Sequence, residues 1–313
     1  MKISINCIIH DRYLYIKSFI NEIIKISANI KNNLTVNLLV SSTTRDWKTD
    51  KQLLSNNNIK CNVFYIPGGD YMAKIRTAIE NTGEYAIKLD EDIFIPSQVW
   101  EYFLSNLHVL DDPKNLFISP LLSTGIPTVD VFVEQFLTTE QRDQLYKIYL
   151  ETRLPSIWGA DYSKLEQHTI KAQSWNSENF YKEVDKIEHH YRGVHPVRFS
   201  PVAQNFINKC VKNNFNKILQ TSNFSLFTDK KPYFCNSVFG IRKDVWLNIL
   251  NDASLFKDTF EEVPLNLYMK NNNLNMVFIN NGFGVHPSYN TINVFGTNYK
   301  TISDSFFDHD YFK

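Results

Sequence analysis

The chain has 313 residues, 43% of them hydrophobic, and 33 basic against 33 acidic residues. It is long enough for one large α/β domain or a core with a substantial insertion, and it lacks the basic footprint of a protein that tracks phosphate backbones, so nucleic acid is not an expected partner. Cys7, Cys61, Cys210 and Cys235 stand apart without C-x-x-C spacing, which argues against a zinc site and fits buried thiols in a reducing compartment.

The opening residues have too short an apolar run for a secretory leader, and no later segment reaches membrane-spanning length. A cytoplasmic location is expected, with at most peripheral membrane contact. Strands are predicted at Ile3–Ile9, Thr35–Val40, Cys61–Ile66 and Tyr85–Leu89. Between them Tyr13–Ile26, Asp46–Leu54 and Met72–Asn81 repeat apolar residues at helical spacing. This alternation predicts βαβ units, a Rossmann-like, mostly parallel central sheet flanked by helices. No glycine precedes Gly68, so the turn after the first strand is neither a G-x-G-x-x-G dinucleotide loop nor a Walker loop.

Further on, a helix is predicted from Gln98 to about His108 and a short strand over Leu116–Ser119. From Gly125 to about Asp229 the alternation is lost; Thr139–Leu150 and Val202–Leu219 read as helical within a largely helical insertion. The expected division is therefore 1–124, 125–229 and 230–313. Regular patterning returns with a strand at Ser237–Ile241, helices at Lys243–Leu250 and Glu261–Met269, and a strand at Asn275–Ile279. The tail after Tyr289 is weakly patterned and expected to wrap the surface.

The segment richest in chemistry is Leu89-Asp90-Glu91-Asp92. The carboxyl ends of strands are where open α/β sheets bind ligands, and a side-chain period of two sends Asp90 and Asp92 to one side and Glu91 to the other. Such a pair suits a hard cation, Mn²⁺ or Mg²⁺, shared with phosphate oxygens and water. Taken alone, the pattern reads first as a solvated acidic turn at the end of a strand. An EF-hand does not fit, because Phe94 stands at the third ligand position and no loop glycine follows.

Context points further. Ile59–Phe94, with Tyr65-Ile66-Pro67, Met72-Ala73-Lys74-Ile75-Arg76-Thr77-Ala78-Ile79, Gly83-Glu84-Tyr85 and Leu89-Asp90-Glu91-Asp92, resembles the donor-binding half of inverting bacterial GT-A glycosyltransferases of the family-2-like kind. The resemblance implies a GT-A fold, a nucleotide-sugar donor with UDP as the default, and a metal held by Asp90 and Asp92. It also implies a donor-binding set of His10, Arg12, Ser41, Lys74, Asp90 and Glu91. The turn Asn6-Cys7-Ile8-Ile9-His10-Asp11-Arg12 is similar to the family's nucleotide-contacting loop but lacks its Pro-x-Tyr-Asn form, and Ser41 stands where the family has an aspartate.

On the acceptor side, Phe234–Trp246 followed by Thr259-Phe260-Glu261-Glu262-Val263-Pro264 is similar to the family's strand and the acidic pair opening its next helix. In inverting members one carboxylate of that pair is the general base, which implies Glu262, or else Glu261. A carboxylate in a helix's first turn is favoured by the dipole in any protein, so plain helix capping accounts for the same residues. His286 matches a late histidine that contacts metal or diphosphate in many members, and a lone histidine also serves as an ordinary hydrogen-bonding residue. The cluster His189–Arg198 fits a packed loop or an acidic acceptor site, with Trp158, Trp175 and Tyr181 as sugar-stacking candidates.

The implied activity is glycosyl transfer to a carbohydrate or lipid-linked glycan in bacterial surface polysaccharide synthesis. The alternatives are a sugar nucleotidyltransferase, which the glycine-free first turn disfavours, and a non-catalytic carbohydrate-binding scaffold.

Overall fold

Nearly continuous apolar sequence over Ile3–Ile9 marks a strand covered on both faces, and in the computed structural model β1 (Lys2–Ile9) lies inside a sheet. The structure describes residues 1–10, 13–30, 33–41, 45–125, 128–151, 156–157, 160–161, 197, 200–229, 237–255, 262–286, 307 and 310–312.

The chain continues through α1 (Tyr13–Ile26), β2 (Asn33–Val40), α2 (Lys48–Asn56), β3 (Lys60–Tyr65), α3 (Tyr71–Glu80), β4 (Tyr85–Asp90), α4 (Ser97–Ser105) and β5 (Asn115–Leu122). β1 pairs in parallel with β2 on one side and β4 on the other, and β2 pairs in parallel with β3. The chain thus moves from β1 outward through β2 to β3, then crosses back over β1 to reach β4. Right-handed crossovers in opposite directions put α1 and α3 on opposite faces. The gap between the carboxyl ends of β1 and β4 is the topological switch point, where such sheets open a crevice.

Beyond β4 the sheet becomes mixed. β9 (Val238–Arg242) runs antiparallel to both β4 and β5, and β8 (Ser225–Asp229) pairs antiparallel with β10 (Asn275–Gly284) at the edge. The order across the eight strands is β3-β2-β1-β4-β9-β5-β10-β8. The architecture is α/β, with a mostly parallel mixed central sheet flanked by helices.

Most of the interior is aliphatic and aromatic, but one row of the sheet is polar. Asn62, Asn37, Asn6 and Lys88 stand in register across β3, β2, β1 and β4. Asn62 Nδ2 donates to Asn37 Oδ1 (2.9 Å), Asn37 Nδ2 to Asn6 Oδ1 (2.8 Å), and Asn6 Nδ2 to Thr82 Oγ1 (3.1 Å). Each amide satisfies the next, which offsets the cost of burying it. Gly83 follows Thr82, where any Cβ would collide with the Lys2 backbone carbonyl; only glycine lets this turn lie against the start of β1.

α1 packs on α4 through Phe19 and Trp100 (centroids 5.6 Å apart), and buried Glu22 of α1 accepts the Ser97 N–H at 2.8 Å. One carboxylate therefore satisfies an orphan donor in the first turn of α4 and holds the two helices together.

The described chain divides into two compact units. The first comprises Met1–Pro120, Phe224–Lys230 and Asn236–Gly282, and with them the sheet down to the last residues of β5 and β10. It also carries α9 (Lys243–Asn251) and α10 (Glu262–Asn271). The second comprises Leu121–Asn223, Lys231–Cys235 and Phe283–Lys313. It contains α5 (Thr128–Phe136), α6 (Thr139–Glu151), the short pair β6 (Ser156–Ile157) and β7 (Ala160–Asp161), α7 (Pro201–Asn213) and α8 (Phe215–Leu219). Its aromatic core joins Phe132, Phe136, Phe283 and Phe215, with Tyr311 against Phe215 at 5.2 Å. Ser200 Oγ accepts the Ala203 N–H at 3.1 Å and Pro201 occupies the first helical position, the local signals that start α7.

One element differs from expectation, and another forms against its own local preference. α5 forms in Thr128-Val129-Asp130-Val131-Phe132-Val133, a β-branched run whose local preference opposes a helix. β8 lies within the stretch read as helical insertion; it is a five-residue edge strand with a half-buried pattern too short to stand out. Cys7, Cys61 and Cys210 are free and buried, and no described helix is long and apolar enough to cross a membrane. Cys235, the cluster His189–Arg198 apart from Val197, the stacking candidates Trp158, Trp175 and Tyr181, and most of the tail after Tyr289 lie outside the described residues.

Candidate functional site

The switch point is furnished by three local devices. Pro67 and Gly68, the latter at φ 77°, turn the chain out of β3, and Asp70 then caps α3 by accepting the Ala73 N–H at 3.0 Å. Lys74 falls one turn into that helix, aimed at the end of β1. β4 meanwhile ends at Asp90, and Glu91 and Asp92 form the turn that follows it, so the strand period does not extend to Asp92.

Lys74 is fully buried, and its Nζ donates to the Ile9 carbonyl at 2.7 Å and lies 3.5 Å from His10 Nδ1. Burial pushes its pKa down to about 8, while the charges of Glu91 and Asp90 pull the other way. Ser41 Oγ, at the exit of β2, is 3.4 Å from the same Ile9 carbonyl. Glu91 Oε2 accepts the His10 backbone N–H at 2.8 Å, tying the end of β1 to the end of β4. Glu91 and Asp92 are buried, and Asp90 is more open. His10, Ser41, Lys74, Asp90, Glu91 and Asp92 thus all belong to the carboxyl ends of β1, β2 and β4 or to the helix above them.

Sequence reasoning missed Lys88. Its Nζ is 2.6 Å from Asp90 Oδ1 and its side chain is fully buried. The available signal was a lysine within the apolar run Tyr85-Ala86-Ile87-Lys88-Leu89, two residues before Asp90 and hence on the same face.

A second missed group lies beside the exit of β2. The Arg45 guanidinium sits over the Tyr13 ring, 3.0 Å from its centroid, and 5.0 Å from the Trp47 ring. Asp50 Oδ2 is 3.2 Å from Arg45 Nη2, and Asp50 Oδ1 accepts the Tyr13 hydroxyl at 3.1 Å. Burial, then the Asp50 charge, raises the Tyr13 pKa. These residues join the start of α1 to the start of α2.

The remaining expected residues fall elsewhere. His286 belongs to the second unit, where it is buried. There its Nδ1 is 3.2 Å from Thr124 Oγ1, its carbonyl accepts from that hydroxyl at 2.6 Å, and its N–H donates to Ser123 Oγ at 3.0 Å. Glu262 is the first residue of α10; Arg12 and Glu261 lie outside the described residues.

Among the described residues no three His, Cys, Asp or Glu side chains gather as a metal cage. The donor set at the end of β4 consists of carboxylate oxygens, the ligand chemistry of Mg²⁺ or Mn²⁺, ions that commonly take one or two carboxylates and complete their shell with phosphate and water. The residues present fit such an ion in kind. No known protein family has a sequence model that matches this chain, and no curated protein matches it significantly.

Proposed function

We propose that this chain is a GT-A glycosyltransferase that moves a sugar from a nucleoside diphosphate, UDP by default, onto a hydroxyl of a glycan or lipid-linked glycan. The observation that carries this reading is the convergence of Asp90, Glu91, Lys74 and Lys88 around the carboxyl ends of β1 and β4, with buried Asp92 two residues past the end of β4, at the point where the strand order reverses.

Breaking the bond between a sugar and a diphosphate leaves negative charge on the departing oxygens, and groups already in place to meet it lower the barrier. Asp90 and Asp92 are the residues that would hold Mn²⁺ or Mg²⁺, which supplies Lewis-acid neutralisation of the diphosphate when bound. Lys74, cationic at neutral pH and placed at the end of β1, attracts the phosphates. Glu91 serves by fixing the His10 backbone, so that the loop after β1 is held against β4. Arg45, Tyr13 and Trp47 brace the neighbouring loop with a rigid cationic and aromatic wall.

The acceptor hydroxyl needs a base on the face opposite the leaving group. Glu262, the first residue of α10, takes that role in this reading. Inversion at the anomeric carbon follows.

The test is incubation with a panel of nucleotide sugars, Mn²⁺ and a range of glycan acceptors, following nucleoside diphosphate release. Release from one donor, lost in Asp92→Asn, supports the reading. Formation of pyrophosphate would indicate nucleotidyl transfer instead, and silence across the panel would leave a binding protein.

A further inference from the structure

Lys88 projects from β4 on the same face as Asp90, with its ammonium 2.6 Å from Asp90 Oδ1 and 5.6 Å from the centre of the Tyr71 ring. A lysine reaches complete burial only where other groups compensate for its lost water, and here a carboxylate and an aromatic face do so. The carboxylate is the one that opens onto the switch point, 28% exposed while its lysine is 0% exposed. The cluster sets two lysines (Lys74, Lys88) against three acidic residues (Asp90, Glu91, Asp92), a formal net charge of −1 where the acidic run alone reads as −3.

We propose that Lys88 is a resident counter-cation that holds Asp90 in place and weakens the site for a divalent ion alone, so that the ion is retained together with a nucleoside diphosphate. This rests on the metal and donor reading given above. A divalent ion approaching Asp90 meets an ammonium already bound to the same carboxylate. At the low effective dielectric of a half-buried site that repulsion offsets much of the attraction of the two aspartates. A diphosphate brings further negative charge, and the sum then favours the ion. Lys88 is thus a positioning residue: it acts through Asp90, and it makes metal and donor binding depend on each other, as linkage requires of any such coupling.

The experiment is equilibrium dialysis of the full chain against Mn²⁺, alone and with UDP, GDP or dTDP, on the native protein and on Lys88→Gln, Lys88→Met and Lys88→Arg, with thermal unfolding to show that each is folded. The native protein is expected to retain Mn²⁺ weakly alone and more tightly with one of the diphosphates. Lys88→Met and Lys88→Gln should bind Mn²⁺ alone at least about tenfold more tightly, equivalent to about 1.4 kcal/mol, and should lose most of the diphosphate dependence. Lys88→Arg, which keeps the charge, should behave as the native protein. Lys88→Gln keeps a hydrogen-bond donor for Asp90 and carries the test if Lys88→Met does not fold. Neutral variants that bind Mn²⁺ alone no more tightly than the native chain would overturn the role of Lys88 while leaving the metal reading intact. A native chain that retains no Mn²⁺ with any of the three diphosphates would remove the metal reading, and this inference with it.

Discussion

At the carboxyl end of β4 the charged groups are buried and interlocked, whereas at its amino end they line an open cleft. The first group ties Lys88 to Asp90, Glu91 to the His10 backbone and Lys74 to the Ile9 carbonyl. The second is a cleft of about 750 Å³ bordered by Lys2, Glu84, Tyr85, Asp111, Arg242 and Asp244. There Arg242 reaches Asp111 at 3.2 Å and grips both oxygens of Asp244 at 3.0 Å, but all three side chains are more than two-fifths exposed. Charged groups at the two ends of one strand therefore do different things. In water they are screened and cheap, and they mostly shape the surface. Removed from water they must be matched group by group, and a cluster so matched is the arrangement expected where chemistry is done.

The sharpest way to break that contrast is to neutralise one carboxylate at the carboxyl end. Asp92→Asn and Asp90→Asn should each lower kcat for donor turnover by at least about a hundredfold, about 2.7 kcal/mol of transition-state stabilisation, with circular dichroism unchanged. Rates near the native value at saturating Mn²⁺ would show that the buried cluster is structural and that the two ends of β4 differ only in exposure.

Lys74 provides a pH test of the same end. Its pKa, pushed down to about 8 by burial, lies below the ordinary lysine value of 10.5. The ammonium is therefore present at neutral pH and lost as pH rises through about 8, and donor KM should rise by about tenfold over that limb, as expected for losing a charged contact to phosphate. Lys74→Arg should move the limb to higher pH. Stability shows the complementary trend. Because the folded-state pKa is the lower one, the unfolded chain binds more protons between about pH 8 and 10.5, and stability rises with pH across that window. Urea unfolding of Lys74→Met should lack this rise; an unchanged slope would place the titration elsewhere.

Glu91 separates architecture from chemistry within the cluster. Its hydrogen bond to the His10 N–H is charge-assisted and largely shielded, so Glu91→Ala should cost about 1–3 kcal/mol in urea unfolding, and Glu91→Gln should cost less. A loss of turnover without loss of stability would instead assign Glu91 to the donor.

The half of the fold around this cluster was open to sequence reasoning, because β1–β4 and α1–α3 obey simple periods: apolar runs for buried strands, three- and four-residue spacing for helices. The positions of Asp90, Glu91, Asp92 and Lys74 followed from those elements. Lys88 did not, since a lysine inside an apolar strand hints at burial but does not say what compensates it; that depends on Tyr71, seventeen residues earlier in the chain. The asparagine row was equally hidden, because Asn6, Asn37 and Asn62 become neighbours only through the register of three strands. α5, though inside the stretch read as largely helical, has no helical signal of its own, because its β-branched residues state a local preference that tertiary packing overrides.

The smallest expected effect belongs to the open end. Arg242→Ala removes the guanidinium that pairs with Asp111 and Asp244, at a place where water and salt already screen the charges. The loss should be below about 1 kcal/mol and should shrink further in about 1 M salt, where the Debye length falls from about 8 Å to about 3 Å. The pH dependence has a definite sign. The hydrogen bond from Arg242 holds the Asp244 carboxyl below its ordinary value of 3.8, so its contribution is present above that value and fades as acid takes the pH down through the depressed one. Arg242→Ala should therefore matter least at low pH, and donor turnover should be unchanged throughout. A large loss of stability, or any loss of kcat, would mean that the amino end of β4 is coupled to the carboxyl end through the strand itself, and that the exposed cleft does more than shape the surface.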